Sequence, residues 1–323
     1  MTDDSTGRTL ADLDEEGLLA QTLPRFATGD DVLVGPGDDA ALLRVRTGAA
    51  IATTDTMVLG RDWLDEWSSA TDVGHKIVVQ NVADVAAMGG RCTGLLVTLI
   101  ADPATPLQWV LDFNAGLAEA VDAAKTVVLG GDLSSAPVGV RAVSVTALGE
   151  LDGVAPVLRS GARVGDVVAV CGTLGHAAAG LLLLQQDSAA AAPDLVAAQR
   201  RPHSPYEQGP LAARAGATSM IDISDGLVRD AGRIARSSGA RVDLDIDTLQ
   251  PDIDLLAPAL GAEAAQRCVL TGGEEHSLLA TFPPGAVPNG WRQVGRVLRG
   301  DGVTVAKVPQ TGGGWDHFGT HFR

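Results

Sequence analysis

The sequence predicts an α+β protein in two domains, and three observations carry that expectation. The chain has 323 residues, more than one hydrophobic core usually organises, so two domains of roughly 150 residues each are expected. Hydrophobic residues make up 46% and charged residues 20%, the balance of a globular chain and not of a disordered one. Strand-like and helix-like stretches are interleaved, and the pattern restarts near residue 150, which gives domains 1–150 and 151–323.

In the first domain, residues 1–14 carry few apolar anchors and read as a frayed end, after which "EEGLLAQTLPRFA" reads as a short amphipathic helix. "AALLRV" and "AAIATT" read as strands, Val73 to Met88 as a helix and "CTGLLVTLI" as a buried strand. "LQWVLDFNAGLAEAVDAA" is a second helix, and "TVVLGGD" and "GVRAVSVTALGEL" are strands. That order suits a sheet with helices on one face. In the second domain "RSGARVGDVVAVCG" is a loop entering a buried strand, "HAAAGLLLLQQ" a helix and "RRPHSPYEQG" a structured turn set by its prolines. "ATSMIDISDG" runs from strand into loop, "LVRDAGRIARSSG" is a helix closed by Gly239, and "ARVDLDID" is a strand. "VLTGGEEHSLLATF" is a glycine-rich loop entering a strand, and no solenoid-length repeat is visible.

The formal net charge is −16. Such a surface repels phosphate backbones and anionic membranes, so nucleic acid and lipid are not expected partners. A phosphorylated ligand would need neutralising cations. Cys92, Cys171 and Cys268 lie far apart in apolar surroundings without metal-ligand spacing, and read as buried, reduced thiols. No apolar run is long enough to span a bilayer and no secretory leader is visible, so a cytoplasmic location is expected.

Most of the forty acidic residues are ordinary surface groups, but a subset sits beside glycine or at the ends of expected strands: Asp38 and Asp39 in "GPGDDAA", Asp55 in "IATTDT", Asp132 in "VLGGDLSS", and Asp222 and Asp225 in "IDISDG". Singly, each reads as a turn or cap residue, Asp225 as a cap for the helix starting near Leu227. Together, on loops after buried strands, they read as displayed chemistry. One more carboxylate lies within a helix: Asn81 and Asp84, three apart, share a face beside the apolar stripe of Val78, Val82 and Val85, where a carboxylate needs a partner. Hard oxygen donors without Cys or His suit Mg²⁺. No phosphate-binding P-loop, dinucleotide fingerprint or protein-kinase signature is present. Any nucleotide phosphates would therefore be held through carboxylate-bound magnesium.

The stretches "GPGDDAALL", "TTDTMVLGRDW", "HKIVVQNVADVAAMGG", "LGGDLSS", "RSGARVGD", "IDISDGL", "LTGGEEHSLL" and "GWDHF", in that order, resemble the thiamine-monophosphate kinases. These belong to the superfamily that also holds aminoimidazole ribonucleotide synthetase and selenophosphate synthetase. The resemblance runs from about residue 15 to the C-terminus. It implies a dimerising N-terminal domain with a mixed or antiparallel sheet, a C-terminal α/β sandwich domain, and a homodimer. It also implies ATP-dependent, Mg²⁺- and K⁺-assisted phosphorylation of thiamine monophosphate to thiamine diphosphate by direct in-line transfer.

By that resemblance Asp39, Thr53, Thr54, Asp55, Asp84, Asp132, Asp222 and Asp225 would hold magnesium, with Asp38 supporting the first loop. Gly131, Asp132, Arg159 and Ser224 would contact ATP, whereas Glu274 and Trp315 would contact the thiamine part, Trp315 by stacking on a cationic ring. The alternative for Trp315 is packing on the core, and for Arg159 a surface ion pair. Asp62 stands where the family usually has a substrate-contacting His. Glu275, His276 and Ser277 stand where Asp, Tyr and Glu are usual, and His276 reads as a polar surface residue ahead of a direct role. No acid or base is assigned, because an acceptor phosphate oxygen is already ionised at neutral pH. The rival readings are a ribonucleotide ring-closing synthetase of the same superfamily and a non-catalytic metal- or nucleotide-binding relative.

Overall fold

A computed structural model describes residues 7–12, 15–26, 29–35, 40–310 and 313–314. The chain forms two units, one holding residues up to Val85 together with Cys92–Glu150, the other Ala86–Arg91 together with Leu151 onward. The short segment 86–91 joins the second unit because Ala87 packs in a cluster with Val157, Ala212, Met220 and Phe282, while Met88 O accepts a hydrogen bond from Val157 N at 3.0 Å.

In the first unit, α1 (Glu15–Thr22) passes into a 3₁₀ turn at Leu23–Arg25, with Pro24 in the first turn. The expected strand "AALLRV" shrinks to β2 (Leu42–Leu43), an antiparallel partner of β1 (Val32–Val34). A four-stranded sheet follows in the order β3-β6-β4-β5, built from β3 (Ile51–Val58), β4 (Arg91–Ala101), β5 (Val128–Ser135) and β6 (Arg141–Glu150). β3 pairs antiparallel with β6 and β4 parallel with β5. Strand periodicity puts Thr53, Asp55 and Met57 on one face of β3 and the exposed Ala52, Thr54, Thr56 and Val58 on the other. The helices are α2 (Ala70–Ala87) and α3 (Leu107–Ala123), whose Leu107, Val110, Phe113, Leu117 and Val121 form a buried stripe at helical spacing.

The second unit contains a seven-stranded sheet in the order β13-β12-β9-β11-β7-β10-β8. Its strands are β7 (Val167–Cys171), β8 (Ser219–Ile223), β9 (Arg241–Leu244), β10 (Ser277–Phe282), β11 (Arg292–Leu298), β12 (Gly302–Val305) and β13 (Val308–Pro309). β7, β8 and β10 are buried at every position, as strands covered on both faces must be. The helices are α4 (His176–Gln185), α5 (Pro193–Arg200), α6 (Gln208–Arg214), α7 (Leu227–Ser238), α8 (Ile246–Leu260) and α9 (Ala262–Thr271). Pro193 opens α5, where its missing N–H is harmless. Gly239 ends α7 in the left-handed conformation, as expected.

Patterning assigns no element between "ARVDLDID" and "VLTGGEEHSLLATF", and the stretch carries Pro251 and Pro258. α8 forms there nonetheless. Asp245 caps it, accepting from Asp247 N at 3.1 Å, and Leu249, Ile253 and Leu256 bury one stripe.

Candidate active site

In the first unit, α2 lies against the inner face of β3, and that strand supplies the partner that Asp84 requires. Thr53 Oγ1 donates to Asp84 Oδ2 at 2.7 Å, and the main-chain N–H of Asp55 donates to Asn81 Oδ1 at 3.1 Å. Asn81 is fully buried, and its amide nitrogen is fixed on Ile77 O at 2.8 Å. Two side chains one helical turn apart thus meet two residues two apart on a strand, which brings Thr53, Asp55 and Asp84 together. The Thr54 side chain lies on the opposite face, donating to Val145 O at 2.9 Å, so it does not join that side-chain group.

Asp132 lies on β5, at the other edge of the sheet from β3. Two strands intervene, so it is about 14 Å from Asp55 at ordinary strand spacing. Its carboxylate is exposed and accepts from Ser134 Oγ at 2.8 Å. Gly131 beside it must lack a side chain, because a Cβ there would collide with the Val97 carbonyl of β4. Gly131 and Asp132 border a cavity of about 330 Å³ whose other walls include Leu18, Phe26, Phe113 and Leu129.

In the second unit Asp222 lies near the end of β8 and the loop after it carries Ser224 and Asp225, and the loop before β10 closes over them. Glu274 N donates to Ser224 O and His276 N to Ile223 O, each at 2.8 Å. His276 Nδ1 lies 3.1 Å from Asp222 Oδ2, with both side chains buried. The expectation of a surface His276 is therefore wrong: the ring turns inward because its own N–H is held at the end of β8. Gly272 and Gly273 allow this closure, since side chains there would meet the Cys268 and Ser224 carbonyls.

Asp225 does not cap α7. The N-cap is Gly226, without a side-chain cap, and the Asp225 carboxylate instead pairs with Arg233 and lies 3.6 Å from Arg229 Nε. The capping work falls to Asp230, which accepts from the N–H groups of Asp225 and Gly226 at 3.0 and 3.1 Å and also pairs with Arg233. Burial, reinforced by the Asp222 charge, pushes Asp230 up to about 7 against the lowering effect of Arg233. Neither Asp230 nor Arg233 was singled out from sequence. For Arg233 the signal was its four-residue spacing from Arg229 on α7, a spacing that runs back to Asp225 just ahead of the helix.

Several expected contacts take a different form. Asp62 Oδ2 accepts from Val58 N at 2.7 Å and closes its own turn. Arg141 is stacked 4.3 Å above the Trp109 ring, which stands 6.3 Å from Trp63, and Asp65 bonds both Trp63 Nε1 and Arg141, so that loop is pinned to α3 and β6. Arg159 is exposed and its side chain makes no ion pair among the described residues, while its carbonyl accepts from Ser238 Oγ at 3.2 Å. Asp38, Asp39 and Trp315 lie outside the described residues. All three cysteines are free and buried, as expected.

Among the described residues, no three His, Cys, Asp or Glu side chains gather as a ready metal cage. The candidate donors are hard oxygens offered one or two at a place. That set fits Mg²⁺, which keeps waters and completes its shell with substrate phosphate oxygens.

The fold and its carboxylate loops define a class. Residues 37–151 match the N-terminal domain of AIR synthase related protein, and residues 163–307 match its C-terminal domain. Thiamine-monophosphate kinase of Mycobacterium tuberculosis is 42% identical over 319 residues, covering 96% of this chain and 93% of that protein. Among solved structures, thiamine-monophosphate kinase from Stenotrophomonas maltophilia K279a is 31% identical with a TM-score of 0.77, covering 91% of this chain and 96% of that one. AaThiL complexed with AMPPCP and TMP is 30% identical with a TM-score of 0.77, covering 97% of this chain and 100% of that one. The chain belongs to the thiamine-monophosphate kinase family.

Proposed function

We propose that the chain transfers the γ-phosphoryl group of ATP to the phosphate of thiamine monophosphate, giving ADP and thiamine diphosphate, the last step of thiamine diphosphate biosynthesis. The observation that carries this reading is the similarity, over nearly the whole of both chains, to a structure complexed with AMPPCP and TMP. AMPPCP is an ATP analogue whose β,γ bridge cannot be cleaved, so that pair of ligands corresponds to a phosphoryl donor and its acceptor.

Donor and acceptor phosphates are both anionic, and the barrier to joining them is largely electrostatic. Bound Mg²⁺ supplies the positive charge that offsets this repulsion. In the first unit Asp55, Asp84 and Thr53 would hold magnesium, with Asp132, Asp39 and Thr54 as further donors; in the second unit Asp222 and Asp225 would hold magnesium. Asn81 holds the Asp55 main chain in place. Because the acceptor oxygen is ionised at neutral pH, the chain needs no general base. Its task is positioning, which can supply a large share of the acceleration.

The cavity beside Gly131 and Asp132 is within the ordinary size range for small-molecule sites, and its largely aliphatic and aromatic walls suit the base of the nucleotide. Arg159 and Ser224 are the further ATP contacts, and Asp62, Glu274 and Trp315 face the thiamine part in this reading. K⁺ as an additional counter-cation rests on the family resemblance.

Two coarser features complete the proposal. No helix among the described residues is long and apolar enough to cross a membrane, and a cytoplasmic location agrees with a need for ATP. The outer face of the four-stranded sheet exposes Val58 and Leu96 with a row of threonines, which suits pairing with a second copy in a homodimer. Light scattering reads that state directly. The activity is tested by incubating the purified chain with ATP, Mg²⁺ and thiamine monophosphate. Thiamine diphosphate and ADP in equal amounts are expected; ATP hydrolysis without thiamine diphosphate would overturn the proposal.

A further inference from the structure

The loop from Gly272 to Ser277 sends neighbouring side chains in opposite directions. Glu275 turns back to the N-terminus of α4, where it accepts from Ala177 N at 3.1 Å and from the Thr173 hydroxyl. His276 turns to Asp222, with Nδ1 3.1 Å from Oδ2 and side-chain exposures of 3% and 4%. The backbone takes an unfavourable course to do this. Glu274 and His276 have φ of 62° and 53°, in the left-handed region that non-glycine residues avoid. Such a course persists only where surrounding contacts over-determine it. Here those contacts are the bonds from Glu274 N to Ser224 O and from His276 N to Ile223 O. The chain thus accepts local strain at the residue that delivers an imidazole to the carboxylate near the end of β8.

We propose that His276 is a positioning residue for Asp222. An ionised carboxylate only accepts hydrogen bonds, so Nδ1 carries the proton and donates it to Oδ2. That bond fixes the rotation of the Asp222 carboxyl group and leaves Oδ1 for the cation. The inference rests on the reading of Asp222 as a magnesium donor, and it adds a residue whose identity departs from the tyrosine usual in the family. Partners that orient a metal-binding carboxylate influence affinity strongly without touching the ion.

The test uses the full chain and three variants: His276→Phe, which keeps a ring and loses the donor; His276→Asn, which keeps a donor nitrogen; and Asp222→Asn. Equilibrium binding of Mn²⁺ alone, read by electron paramagnetic resonance of the free ion, is compared with the Mg²⁺ dependence of turnover. The proposal expects His276→Phe to weaken Mn²⁺ binding about ten-fold or more and His276→Asn to restore it to within about three-fold. It also expects His276→Phe to raise the Mg²⁺ concentration for half-maximal turnover more than it lowers turnover at saturation.

If Asp222→Asn weakens binding and His276→Phe does not, His276 has no positioning role and the proposal fails. If Asp222→Asn binds Mn²⁺ like the unmodified chain, the reading of Asp222 as a donor fails, and the His276 proposal with it. Should His276→Phe not fold, His276→Leu carries the same expectation, with the thermal unfolding midpoint as the check on folding.

Discussion

Thr53 on β3 donates its hydroxyl to Asp84 on α2 across 2.7 Å, so a strand and a helix meet at a carboxylate that lies beside the buried stripe of the helix. Thr53→Val keeps the shape of the side chain and removes the bond. We expect a loss of about 1 kcal/mol of stability in urea unfolding, and a rise of about ten-fold in the Mg²⁺ concentration for half-maximal turnover. Thr53→Ser should behave like the unmodified chain, because it keeps the hydroxyl.

Glu275 anchors the loop before β10 to the N-terminus of α4. Glu275→Ala removes the acceptor of Ala177 N and leaves the Thr173 hydroxyl without this partner. A destabilisation of about 2 kcal/mol is expected from the lost cap and the stranded donors. Chemical denaturation of the variant reads it, and a midpoint equal to that of the unmodified chain would show that α4 does not depend on this cap.

Arg233 is the cation shared by Asp225 and the fully buried Asp230. Arg233→Ala strips a buried carboxylate of its countercharge, a change that typically costs about 3–5 kcal/mol. The figure here falls toward the lower end, because the Arg233 side chain is 25% exposed. The unfolding free energy of the variant checks it, and Arg233→Lys should recover part of the loss through its charge alone.

Burial pushes the Cys268 thiol up from 9.0 to about 11 and raises Cys171 as well. A group whose folded value is raised ionises first in the unfolded chain. Its contribution to stability is therefore complete below pH 9.0 and is lost as the pH climbs toward 11. We expect iodoacetamide at pH 8 to leave all three cysteines of the folded chain unmodified and to alkylate them after denaturation. We also expect thermal stability to fall above about pH 9.

The parts of the fold legible in the sequence are those written in local periodicity. α2 shows the three-residue spacing that aligns Asn81 with Asp84, which was readable, whereas the strand read as ending at Thr54 and the face that Thr53 shares with Asp55 shows only in β3. α8 received no assignment from patterning; its two internal prolines are positions that propensity disfavours within a helix, and the cap and three buried positions that support it show only in the fold. The bond from Ala177 to Glu275 spans 98 residues, and that from His276 to Asp222 spans 54. No local pattern encodes either, and this is why His276 read as a surface residue. Asp230 was hidden differently. An acid in the first turn of a helix is ordinary composition, and only the fold shows that it is buried and holds the main chain at Asp225.

Phosphoryl transfer by this chain is proposed to depend on magnesium held by its carboxylates. The most direct test is the rate of thiamine diphosphate formation as a function of Mg²⁺ concentration for Asp84→Asn and Asp132→Asn, alongside their thermal unfolding midpoints. We expect turnover lower by about 100-fold or more in each variant, with midpoints close to that of the unmodified chain. Unchanged turnover across the Mg²⁺ titration in both variants would contradict it.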